Sequence, residues 1–360
     1  MNLRRSLAIL FCASAPLLLS AQAADTNSPP PGELAPRPLY RDPVYDNPTD
    51  PVFTYNEESK RWFMYYTQRR GGSIAQIHGS KIGIAASEDG GATWRYIGTA
   101  DIIYGQDTHP DDYTYWAPEV IWVTNIYHMF LAYVPGIFND WNHPREIVHL
   151  TSKDGIKWDT VGLLDLESHK VIDPCVIQLP NGDWRMFYKD EARVHIVCYA
   201  DSPDLYHWKT KGSAVTDRNG EGEKCIHWQG KYWLLADTDR PEGQAVWSSD
   251  DCTHWTPQDS TFYGSHGDIV ISGDRAWWFY FGGQRVGNIN WAVIPSAVPF
   301  TQPSPLPSLP STNAPGLGRG GRRGLAINVV EIKVIDGKLM FSNPNEPTYI
   351  DLKPERELER

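Results

Sequence analysis

Three acidic residues stand in equivalent surroundings. Asp50 and Asp173 each precede a proline and Glu221 precedes a glycine, all at the head of an apolar or aromatic run. They lie 123 and 48 positions apart, so only a fold that returns the chain to one place can gather them. Carboxylates held together in a partly desolvated pocket repel one another, and their pKa values move apart. One then stays ionised and accepts a proton while another stays protonated and donates one. Hydrolysis of a glycosidic bond requires that division between two carboxyl groups flanking the bond. An isolated Asp-Pro or Glu-Gly marks a turn more often than a site; the recurrence carries the reading.

The elements that must position these acids recur as well. Five openings align: Asp50-Pro51, Trp116-Ala117-Pro118-Glu119, Asp173-Pro174, Glu221-Gly222 and His266-Gly267-Asp268. Each leads through a turn into an aromatic strand, at 61–66, 127–130, 184–188, 231–235 and 275–280. Four copies close on a Ser-x-Asp…Trp turn ending at Trp94, Trp158, Trp208 and Trp255, at intervals of 64, 50 and 47 residues. Short β-rich runs separated by turns, repeating at about 40–50 residues plus loops, predict four-stranded propeller blades. The expected fold is all-β, a five-bladed β-propeller. A β-sandwich would not repeat this order of acid, aromatic strand and Trp-bearing turn. The first strand of each propeller blade lines the central channel, so the acids are expected to converge at one of its mouths.

Residues 1–23 have the form of a secretory signal, with Arg4 and Arg5, an apolar stretch over 7–19, and a small-residue cleavage site at Ala21-Gln22-Ala23. That stretch is shorter than the roughly 20 residues of a membrane span. A soluble, periplasmic or secreted protein beginning at Ala24, with no membrane anchor, is expected. Residues 24–45 read as an N-terminal extension, 46–299 as the propeller, and 300–324 as a Pro/Gly-rich loop. Residues 325–360 read as strands packing on or completing the last blade, with Asp336-Gly337 as a turn between two of them.

The formal charge of −11 argues against nucleic acid as a partner. Arg319, Arg322 and Arg323 read as a solvated basic loop. Cys175, Cys198, Cys225 and Cys252 would survive signal cleavage; they allow three disulfide pairings, among which sequence does not choose, and show no paired CxxC zinc arrangement. Cys175 and Cys225 follow neighbouring openings and are expected to face one channel. Oligomeric state is not set by the sequence.

The aromatic supply, 15 Trp and 18 Tyr, suits a carbohydrate partner, because sugar C–H faces stack on such rings. Most of these residues lie in strand runs, where core packing explains them better. Loop aromatics beside the openings are Tyr104, Tyr113, Tyr115, Trp116, Phe138 and Trp141, of which Trp116 is the strongest candidate because it sits within an opening. Polar candidates for sugar hydroxyls include Arg69, Arg70, His143, Arg145, Lys189, Asp190 and Glu191, each also readable as a solvated loop residue. Trp116, Glu119, Arg69, His266 and Lys189 are the expected substrate-binding set, and no residue is assigned as a metal ligand.

The ordered series Asp50-Pro, Trp116-Ala-Pro-Glu119-Val, Ile172-Asp173-Pro, Glu221-Gly and His266 resembles glycoside hydrolase family 43 and the related neoagarobiose-hydrolase family, over about residues 42–295. The resemblance implies Asp50 as general base, Asp173 as the residue that tunes pKa and orients, and Glu221 as general acid. Gly230 and the run 231–234 fall where the family has its turn and aromatic strand. The chain departs from the family pattern at Glu119, where an Asp is usual, and at Glu223, where a Pro is usual, which makes Glu223 a rival for the acid. No cofactor is implied as required. Some members hold calcium or sodium in the channel, and His266 stands as a ligand to such an ion, as an acid, or as a buried hydrogen-bonded histidine.

The resemblance implies an inverting hydrolase of arabinofuranosyl, xylosyl or anhydrogalactosyl units; the insertions 104–115 and 135–145, read as walls that turn a cleft into a pocket, predict exo action. Three other readings fit the sequence less well. Ser87–Trp94 fits the Ser-x-Asp-x-Gly-x-Thr-Trp box of sialidases, but no arginine clamp stands at the blade starts. A fructan hydrolase would carry an Asn-Asp-Pro opening and a trailing β-sandwich. A glycan-binding propeller needs no trio of converging carboxylates.

Overall fold

The computed structural model describes residues 32–71, 77–102, 113–193, 197–238, 244–259, 262–283 and 324–354. The expected signal, Tyr104 and most of the 300–324 loop lie outside the described residues. Among the described residues no helix is long and apolar enough to cross a membrane.

The strands form five antiparallel blades of a β-propeller. Blade I comprises Pro48–Asn56, Arg61–Gln68, Lys81–Ser87 and Arg95–Thr99. Blade II comprises Thr114–Val123, Ile126–Val134, Glu146–Ser152 and Lys157–Leu163, with Asp101–Ile102 added in parallel at its outer edge. Blade III comprises Val171–Gln178, Trp184–Asp190, Val197–Ser202 and Lys209–Val215, and blade IV Gly220–Trp228, Lys231–Thr238, Gln244–Ser249 and Thr256–Pro257. Blade V is discontinuous. Its inner strands are Ser265–Ser272 and Arg275–Gly283, and its outer strands are Leu325–Ile335 and Lys338–Phe341, joined through Asp336 and Gly337 at positive φ. Tyr349–Ile350 pairs with Glu33–Leu34 in a separate two-stranded ribbon.

The aromatic strands are buried on both faces, which explains why they read as continuous apolar runs. In blade IV, Trp233 and Leu235 pack toward blade V, while Tyr232, Leu234 and Ala236 pack toward blade III. Alternation along each second strand thus supplies two of the five inter-blade cores. Each Ser-x-Asp turn is held by its own hydrogen bond, Ser87 to Asp89 at 2.8 Å, Ser152 to Asp154 at 3.1 Å, Ser202 to Asp204 at 3.2 Å and Ser249 to Asp251 at 3.0 Å. All four described cysteines are free thiols and buried. Cys175 and Cys225 adjoin in the core between blades III and IV, where the Cys225 N–H donates to Cys175 Sγ at 3.1 Å.

Every inner strand is broken at its mouth end by an irregularity in pairing, at Thr49/Val52, Trp116/Glu119, Ile172/Cys175, Glu221/Lys224 and Ser265/Gly267. Within each break one residue takes positive φ: Asp50 at 53°, Ala117 at 44°, Asp173 at 56°, Gly222 at 65° and His266 at 22°. Such bulges re-aim side chains, and a non-glycine residue there costs of order 1–3 kcal/mol. Pro51, Pro118 and Pro174 follow three of them, where the bulge leaves no ladder partner for an N–H.

Two tiers of side chains result. The upper tier is the five positive-φ residues, and the lower tier, two residues further along, is Val52, Glu119, Cys175, Lys224 and Asp268. Three lower-tier groups cap a backbone N–H on the next blade. Glu119 Oε1 accepts from Val176 at 3.1 Å, Cys175 Sγ from Cys225, and Asp268 Oδ2 from Phe53 at 2.8 Å.

Candidate active site

The upper tier brings Asp50, Asp173 and His266 together and sets Glu221, one residue before Gly222, beside them. His266 Nδ1 lies 3.3 Å from Asp50 Oδ1 and 3.8 Å from Asp173 Oδ2. Its Nε2 lies 3.8 Å from Glu221 Oε1 and 3.7 Å from Asp237 Oδ2. One imidazole therefore faces four carboxyl groups. Ala117 and Gly222, the other upper-tier residues, leave space for it: a Cβ on Gly222 would stand 2.4 Å from His266 Cδ2.

These contacts divide the charges. Burial raises the Asp50 pKa, but the hydrogen bond with His266 and the charges of Arg69 and His266 outweigh it, lowering the pKa to about 2. Burial, with Glu221 and Asp50 nearby, pushes Asp173 up to about 6 against the pull of His266. Burial likewise pushes Asp237 up to about 7. Burial disfavours the imidazolium, yet the surrounding carboxylates hold His266 well above its ordinary value. For Glu221, burial is overcome by His266 and by Lys189, whose Nζ stands 2.5 Å from Oε2, so the carboxyl sits well below the usual range.

Glu221 has the exposed position of an acid, with 39% of its side chain accessible, but it is ionised and ion-paired as it stands. Glu223 is its opposite. It is buried, neither of its oxygens has a hydrogen-bond partner among the described residues, and desolvation raises its pKa. It lines a cavity of about 30 Å³ with Asp50, Asp173, Lys224 and His266. Such a space admits about one water and no sugar, so a substrate must sit above the upper tier. A larger hollow of about 270 Å³, lined by Glu146 and residues 163–169, contains none of the converging acids.

The other expected residues fall into place unequally. Trp116 is buried, with its indole N–H bonded to Ile77 O at 2.8 Å and its ring 5.5 Å from that of Trp141, which is 45% exposed. Arg69 approaches Asp50 at 4.0 Å. Arg145 ion-pairs with Glu191 and donates to Trp141 O, so it braces the 135–145 segment. Asp190 is buried and accepts from Ser168. Glu119, expected to meet sugar hydroxyls, is instead buried in the lower tier, where its oxygens bind Lys224 and the Val176 N–H. Its longer side chain reaches across the channel, which an Asp would do less well.

Asp237 was not anticipated. It lies on the second strand of blade IV and pairs in register with Glu221, as Lys189 pairs with Ile172 and Thr67 with Thr49. Counting back from each hairpin turn would have named Thr238, Asp190 and Gln68 instead, because the bulge in each inner strand moves the partner by one residue.

No family model and no curated protein matches the chain. Solved structures resemble it in fold. A thermostable family-43 glycoside hydrolase is 16% identical with a TM-score of 0.58, covering 87% of this chain and 99% of that one. An endo-1,4-beta-xylanase from Bacteroides thetaiotaomicron is 15% identical with a TM-score of 0.54, covering 85% and 96%. An exo-1,5-alpha-L-arabinanase from a bovine ruminal metagenomic library is 13% identical with a TM-score of 0.52, covering 84% and 99%. The chain shares the five-bladed fold of these proteins.

Proposed function

We propose that the protein is an exported glycoside hydrolase that removes terminal arabinofuranosyl, xylosyl or anhydrogalactosyl units from plant or algal oligosaccharides with inversion. The observation that carries this reading is the imidazole of His266 standing between Asp50 and Glu221. Its two nitrogens are separated by roughly 2.2 Å, so the facing oxygens of Asp50 and Glu221 are at most about 9 Å apart, which does not exceed the upper limit of roughly 9.5 Å for a pair that admits a water. Asp50, held ionised, activates that water.

Glu221 delivers a proton to the departing oxygen from the opposite side. At rest that proton resides on His266, whose Nε2 faces Glu221. Asp173 holds the Gly222 N–H at 3.0 Å and so fixes the peptide that carries Glu221. Trp116 and Trp141 wall one side of the mouth, which supports action at chain ends. The fold shared with family-43 hydrolases and the ordered motifs support the same class.

The test uses leaving-group dependence. A nitrophenolate departs with little protonation, so Glu221→Gln should slow natural glycosides far more than aryl glycosides. Asp50→Asn should slow both by about 10²–10⁴-fold. If Glu223→Gln and not Glu221→Gln shows the dependence, Glu223 is the acid. Initial release of the retained anomer, followed by proton NMR, would reject Asp50 as base. Sugar binding without turnover of any oligosaccharide would favour a glycan-binding propeller.

A further inference from the structure

The lower tier contains a cation of the protein's own. Lys224, on the inner strand of blade IV, directs Nζ to Asp268 Oδ1 of blade V at 2.7 Å and to Glu119 of blade II at 3.0 and 3.3 Å. Blades II and IV are not neighbours, so this ammonium spans the channel. All three side chains are 10% exposed or less. The two carboxylates also cap the Val176 and Phe53 N–H groups. Through these contacts one ammonium ties all five inner strands together.

The family resemblance raises a calcium or sodium ion in this channel, and the residues do not fit one. Both nitrogens of His266 are turned to carboxyl groups of the protein, Nδ1 to Asp50 and Asp173 and Nε2 to Glu221 and Asp237, at 3.3–3.8 Å. Below it, the two carboxylates that would otherwise attract a cation already hold Lys224. Among the described residues no group of three or more His, Cys, Asp or Glu is arranged to hold a metal ion.

We propose that the Lys224 ammonium takes the place of a channel metal ion, so the propeller axis is closed by a tethered cation and binds no calcium or sodium. The melting temperature of the purified protein, in Tris buffer with EDTA and then with millimolar calcium or sodium chloride, tests this without reference to activity. The wild type should melt within about 1 °C in all three conditions. Lys224→Met keeps the length and removes the charge, leaving Glu119 and Asp268 unpaired. It should melt roughly 5–10 °C lower and recover part of that loss in calcium. Should that variant fail to fold, Lys224→Met with Glu119→Gln leaves one carboxylate, and should fold and ignore calcium. A wild type that loses stability in EDTA and regains it in calcium overturns the proposal. So does a Lys224→Met protein that melts like wild type or whose lowered melting point ignores calcium, or a folded double variant that calcium stabilises.

Discussion

Replacing His266 by Gln, close in size and neutral at every pH, removes the cation that four carboxyl groups share. Each lies 3.3–3.8 Å from a ring nitrogen. At an effective dielectric of about 20, one such contact is worth roughly 4–5 kcal/mol before desolvation. Losing one partner of a buried ionic cluster costs about 3–5 kcal/mol net. The loss should depend on pH, and its sign follows from the shifts. Asp173 and Asp237 titrate at about 6 and 7 in the folded protein, above their ordinary 3.8. Their contribution to stability is therefore full below pH ~4 and falls as pH rises through those values. His266, also raised, contributes fully below its ordinary 6.5 and loses that contribution only as pH rises through its higher folded value.

At pH 5 Asp173 and Asp237 carry protons in both proteins, so His266→Gln breaks only the pairs with Asp50 and Glu221. At pH 8 the wild type holds all four carboxylates against the imidazolium while the variant leaves all four without it, so the loss should be ~3–5 kcal/mol there and about half that at pH 5. Urea unfolding of both proteins at pH 5, 6.5 and 8 measures this directly. A loss that is equal at all three values would mean that His266 acts by packing alone. No loss at pH 8 would refute its role as a shared cation.

Gly222→Ala brings a Cβ to 2.4 Å from the His266 ring at a φ of 65°, so it should displace the ring and lower turnover by about 10²-fold or more. Gly230→Ala, at a φ of 79° with open space around it, should lose a little stability and keep its activity; kcat/KM and Tm of the pair check both. Export is expected to release a protein beginning at Ala24, and N-terminal sequencing of the exported chain that finds Met1 would disprove it.

The blades were legible because each repeats one order of side chains: an opening, a turn, a doubly buried aromatic strand and a Ser-x-Asp turn. The register of the acids was legible for the same reason, since Asp50, Asp173 and His266 occupy one position in three blades. The bulges were not legible. A break of one or two residues leaves no mark in composition, yet it decides that Ala117 and not Trp116 shares a tier with Asp50. Lys224 was hidden because it reads as an ordinary charged residue two places after Gly222. Only the closed ring shows that Glu119 and Asp268, from blades II and V, meet at its ammonium. Asp237 was hidden by the same bulges: an unbroken register would set Thr238 opposite Glu221, and the shift between Glu221 and Lys224 puts Asp237 there instead.

The split build of blade V sets an order of assembly. Its inner hairpin, with Trp277, Trp278 and Phe279, must wait for Leu325–Ile335 and Lys338–Phe341, which are synthesised after the other four blades are complete. The seam between blades V and I is then sewn by contacts distant in sequence, such as the Trp62 indole N–H to Leu352 O at 3.2 Å and the Trp277 indole N–H to Tyr349 O at 3.0 Å. Contacts of such separation carry a large loop-closure entropy and form late. Until they form, an open ring presents the unfinished edge of the Arg275–Gly283 strand, whose N–H and C=O groups invite pairing with another chain. Ring closure is thus the step at which this protein is most exposed to aggregation during folding.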